Sequence, residues 1–79
     1  MTLITINGEA RTVLGDATLS DIISAETGRA LRPDGRPDDG SRLGIAAAKN
    51  AQVIPRSRWS TETINDGDTI ELVTATQGG

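Results

Sequence analysis

The chain has 79 residues, a formal net charge of −3, one aromatic residue (Trp59), and neither cysteine nor histidine. That length makes one small domain whose thin core comes from Leu, Ile, Val and Ala. Without Cys and His, disulfides, thiolate metal sites, thiol catalysis and the commonest general base are excluded, and the acidic balance speaks against nucleic-acid binding, which needs a basic footprint.

Residues 2–6, Thr-Leu-Ile-Thr-Ile, are β-branched and apolar, and Glu9 to Val13 form a second strand-like run. Asn7-Gly8 between them accepts positive φ at both positions, so an antiparallel hairpin with a type I′ turn is predicted. Gly15 to Ala17 break the pattern. Thr18 then offers a helix cap, Asp21 suits the positive end of the helix dipole, and Leu19, Ile22 and Ile23 share one helical face. Gly28 is placed to stop this helix of about ten residues. Such a helix lies across a sheet.

Residues 28–42 are rich in Pro and Gly and carry four Arg against three Asp. They read as a mobile, charge-balanced loop without structure. Strands are expected at 43–49 and 52–55, turning at Asn50-Ala51, with Pro55 at an end because it cannot donate to a ladder. Arg56 to Thr61 read as an irregular turn or short 3₁₀ segment, with Trp59 a partly buried plug beneath it. After a turn at Asp66-Gly67, residues 69–76 form the last strand. Ile70, Leu72 and Thr74 share one face; Glu71, Val73 and Ala75 share the other, where Val73 and Ala75 make a candidate docking patch. The order β-β-α-β-β-β implies an α+β fold: a mixed sheet of about five strands with one helix across one face, and the last strand central, beside the first.

No segment approaches the roughly 20 apolar residues of a membrane span. The first residues lack the basic and apolar regions of a signal peptide. A cytoplasmic protein is expected, with a domain over 1–76 and a diglycine tail over 77–79. Gln77-Gly78-Gly79 follow directly on the last strand. Glycines without Cβ atoms can thread a narrow channel. A terminal carboxylate presented in this way needs activation, normally by ATP, so the chain would be a substrate or carrier rather than a catalyst.

Several segments together resemble the ubiquitin-like β-grasp sulfur carriers, of the ThiS type that serves thiamine biosynthesis. They are Ile6-Asn7-Gly8-Glu9, the helix opening Ala17 to Asp21, Gly44-Ile45-Ala46, the run Asn50 to Trp59 containing Val53-Ile54-Pro55-Arg56-Ser57-Arg58-Trp59, and Asp66-Gly67-Asp68 through Gly79. The resemblance covers nearly the whole chain outside 28–42. That loop is longer than usual for the family, and Lys49 stands where an apolar residue is more common.

The resemblance implies that the Gly79 carboxylate, with Gly78 beside it, is adenylated by an E1-like enzyme of the ThiF type using ATP, with no cofactor or metal bound to the carrier itself. A persulfide donor then supplies sulfur, and the resulting thiocarboxylate delivers it to thiazole synthase, of the ThiG type, for the thiazole ring of thiamine. Gln77, Val73, Ala75, Arg56, Arg58 and Trp59 are candidate docking residues, and a monomer is expected when the protein is free. Other readings are the small subunit of molybdopterin synthase, a sulfur carrier for another pathway, a ubiquitin-like modifier, or a β-grasp interaction module with an idle tail.

Overall fold

The computed structural model describes residues 1–40 and 44–74. Asn7 and Gly8 take φ of 50° and 85° and close the hairpin between β1 (Thr2–Ile6) and β2 (Glu9–Val13). Strand alternation sends Thr2, Ile4 and Ile6 inward and Leu3 outward. The helix α1 (Leu19–Thr27) opens on a capping box. The Thr18 hydroxyl accepts from the Asp21 N–H, and the Asp21 carboxylate accepts from the Thr18 N–H at 2.9 Å. Gly28, at φ 71°, ends it by donating to the Ser24 carbonyl. Leu19, Ile22 and Ile23 are buried, as their spacing requires.

The strands β3 (Ile45–Lys49), β4 (Gln52–Ile54) and β5 (Thr69–Thr74) complete one five-stranded sheet in the order β2-β1-β5-β3-β4. β5 is central, parallel to β1 and antiparallel to β3. One face of the sheet packs on the helix. Ile4, Ile6, Ala47 and Ile70 meet Leu19, Ile22, Ile23, Trp59 and Ile64 there, with Leu72 and Ile54 packed at the margin.

Two expectations need correction. Residues 29–40 are not structureless. Leu31 bridges Pro37, Arg32 donates to the Arg36 carbonyl at 2.7 Å, and Asp38 donates to the Ala30 carbonyl at 2.8 Å. The cause is the Pro33-Asp34-Gly35 turn, in which Gly35 adopts φ 85°. Gly35 is buried so tightly that a Cβ there would lie 2.7 Å from the Arg56 carbonyl oxygen, and the Ser60 hydroxyl donates to the Pro33 carbonyl. Leu31 packs against the core.

Trp59 is not a partly buried plug but the largest core side chain, 1% exposed. It follows the 3₁₀ turn Arg56–Arg58, and its indole N–H donates to the Ile54 carbonyl at 3.0 Å. That bond satisfies the polar end of an otherwise apolar ring. Lys49 is satisfied as well: its ammonium lies 2.6 Å from the Glu62 carboxylate and donates to the Thr63 carbonyl.

At the start of β5, Asp68 is a buried carboxylate that accepts from the Asn65 N–H at 2.8 Å and from the Asn50 amide at 3.0 Å. Burial pushes its pKa up, but those two hydrogen bonds and the Lys49 charge outweigh burial and hold it below the ordinary 3.8. Asn50 also exchanges two hydrogen bonds with the Thr69 backbone, which pins the β3–β4 turn to β5.

Candidate functional site

The predicted site is a chain end, so the structural question is what holds its root. β5 lies between β1 and β3 and carries the chain out as far as Thr74, opposite Ile45 of β3. On the other side β1 has already turned. There the Asn7 side chain takes over the pairing: its carbonyl oxygen accepts from the Leu72 N–H at 2.9 Å and its NH₂ donates to the Leu72 carbonyl at 3.3 Å. A turn residue therefore also braces the strand that leads to the tail. Ala75, Gln77, Gly78 and Gly79 lie outside the described residues.

Val73 is 63% exposed on the sheet face opposite the helix. The register places Ala46 directly across from it, then Ala48 beside Glu71, and Val53 across from Ala48. Val53 is 73% exposed. An outward apolar strip thus runs across three strands next to the tail's root. Ala46, Ala48 and Val53 escaped the sequence reading because only the cross-strand register joins them to Val73. The alternation within residues 45–49 was the available signal.

β4 runs antiparallel to β3, so it leaves the sheet at the end where Thr74 stands, and the 3₁₀ turn follows there. Arg58 is exposed on it. Arg56 is half-buried, with its guanidinium carbon 5.4 Å from the centre of the Trp59 ring. Trp59 itself, expected among the docking residues, offers no surface, so its contribution is to seat Arg56 and the turn. Among the described residues no group of three His, Cys, Asp or Glu side chains is placed to hold a metal ion, and no helix is long and apolar enough to cross a membrane.

A single helix across a five-stranded mixed sheet with a parallel β1–β5 pair defines the ubiquitin-like β-grasp class. Solved structures that share the fold include these two. One is the thiamine biosynthesis protein ThiS from Geobacter metallireducens, at TM-score 0.69 and 21% identity over 99% of this chain and all of that one. The other is SAMP1 from Haloferax volcanii, at TM-score 0.57 and 24% identity over 99% of this chain and 98% of that one. Within the class, the ThiS family model matches residues 4–79, and the chain belongs to that family. It is also 39% identical over 41 residues to the sulfur carrier protein ThiS of Escherichia coli K12. That alignment spans 52% of this chain and 62% of the relative, so the chain matches about three-fifths of the relative's length.

Proposed function

We propose that the protein carries sulfur on its C-terminal carboxylate for construction of the thiazole ring of thiamine. The observation that carries this reading is the family match, which runs through Gly78 to Gly79. The names of the relatives support the thiamine assignment.

A carboxylate is a poor electrophile. An E1-like adenylating enzyme of the ThiF type joins it to the α-phosphate of ATP, releasing pyrophosphate and leaving an acyl-adenylate. The terminal sulfur of a persulfide then attacks the acyl carbon, and AMP departs with the bonding electron pair. A thiol cleaves the resulting S–S bond and is itself oxidised to a disulfide, which leaves the thiocarboxylate. Thiazole synthase of the ThiG type takes the sulfur.

The carrier's own contributions are mechanical. Gly78 and Gly79 have no side chains to block a narrow channel, β5 and Asn7 hold the root of the tail, and the Val73–Ala46–Val53 strip gives the enzymes an apolar surface beside it. The chain without Gly78 and Gly79 should keep its melting temperature and lose all thiazole formation in a reconstituted assay. Thiazole formation by the shortened chain would overturn the proposal.

A further inference from the structure

A concavity lies between β2 and α1, at the Met1 end of the sheet and away from Thr74. It encloses about 630 Å³ and is lined by Val13, Leu14, Ile22 and Ala25, with Asp16 and Asp21 exposed on it. That volume falls in the range of specific binding clefts. Leu14 is 70% exposed at its mouth. None of these residues belongs to the sheet face or the tail root described above.

The groove runs alongside an unpaired edge. β2 ends the sheet, and no strand flanks its outer side among the described residues. The hairpin turn makes Ile6 and Glu9 a hydrogen-bonded pair, and the alternation continues through Ile4–Arg11 and Thr2–Val13. The backbones of Leu3 and Thr5 turn the other way, donating to Asp66 and Asp68. Their partners across the ladder, Thr12 and Ala10, therefore aim their N–H and C=O groups out from the edge. β2 carries neither Pro nor Lys, and an unpaired edge of this kind is a template for another strand.

Charge indicates what fits. This flank carries Glu9, Asp16, Asp21 and Glu26 against Arg11 and the Met1 amino group. Arg11 is already shared between Glu9 at 3.5 Å and Glu26 at 3.7 Å. A second copy of the chain suits the site poorly. Antiparallel pairing of two β2 strands about Arg11 would set Arg11 against Arg11 and bring both acidic rims together. β5 runs parallel to β1 and away from Met1, so Thr74, the last described residue, stands at the opposite end of the sheet.

We propose that β2 and this groove bind an extended aliphatic segment of a partner protein, flanked by lysine or arginine, as a sixth strand of the sheet. Backbone bonds to Ala10 and Thr12 supply affinity, alternate side chains of the segment fill the groove, and the acidic rim selects the flanking charges. The proposal is independent of sulfur transfer.

The test is titration of the isotopically labelled protein with two nine-residue peptides of alternating valine and threonine, one flanked by lysines and one by glutamates, followed by amide NMR. No ATP or enzyme is present, so failure here leaves the sulfur-carrier reading untouched. Expected are shifts confined to residues 10–17 and the facing side of α1, with the lysine-flanked peptide binding about fivefold tighter at low salt. Asp16→Lys, which balances the flank's charges, should abolish that preference. Thr12→Pro, which removes an outward N–H and no β1 bond, should weaken both peptides. Overturning results are no shifts at millimolar peptide, shifts on the Val73–Val53 face, equal affinity for the two peptides, or shifts that follow protein concentration without peptide.

Discussion

At the scale of single residues, Asp68 and Asn50 tie the β3–β4 turn to β5. Asp68 is ionised and hydrogen-bonded in the folded protein, with its pKa below the ordinary 3.8. A carboxylate held down on folding contributes stability above its unfolded pKa and loses it as pH falls through the folded one. Stability should therefore drop as pH falls from near 3.8 through the lower folded pKa. Asp68→Asn should cost about 1–2 kcal/mol at neutral pH and flatten that acid limb, as chemical denaturation across pH will report. An unchanged acid limb would show that Asp68 does not control it.

The neighbouring turn makes an opposite prediction. Ala51 sits at φ 69°, where a Cβ is disfavoured by roughly 1 kcal/mol. Glycine has no such penalty but loses more freedom on folding. Ala51→Gly should leave a net gain of about 0.5 kcal/mol in the same denaturation assay, and a clear loss would contradict the assignment of strain to that residue.

At the scale of elements, Asn7 joins two that are distant in sequence. Its backbone makes the hairpin turn and its amide pairs with Leu72. Asn7→Gly keeps the turn conformation and removes only the side-chain bonds. We expect a loss of about 1–2 kcal/mol and faster amide exchange at Leu72, with the β1–β2 ladder still protected. Unaltered exchange at Leu72 would mean that the amide does not brace β5.

How legible each element was in the sequence follows from where its determinants lie. The hairpin and helix are written in adjacent residues: Asn7-Gly8, the Thr18–Asp21 box, and the spacing of Leu19, Ile22 and Ile23. The central position of β5 was legible from the order of the elements and the α+β fold it implies, and the strand order places it between β1 and β3. The order in residues 29–40 was not, because it depends on Arg56 and Ser60, which meet Gly35 and Pro33 only in the fold. Trp59 misled for a related reason. Its polar neighbours suggest a surface segment, whereas the 3₁₀ turn rotates the indole into the core. Gln77, Gly78 and Gly79 were proposed by type and position alone and lie outside the described residues, and the strip beside Thr74 needed the strand register.

At the scale of the whole molecule, the two flanks of the sheet differ. Beyond β4 lie the 3₁₀ turn and the packed excursion over 29–40; beyond β2 lies an open edge with an acidic groove. Between them the central strand β5 carries the chain toward its end. The proposed carrier role needs a folded body that enzymes can grip, and the sheet with its helix supplies one. The most direct test of that role is intact-protein mass spectrometry after incubation with ATP, an E1-like adenylating enzyme of the ThiF type, a persulfide donor and thiol. A mass gain equal to replacing one oxygen by sulfur, located on Gly79, is the predicted result. An unchanged mass, with the enzyme shown to adenylate this chain by pyrophosphate release, would contradict sulfur carriage.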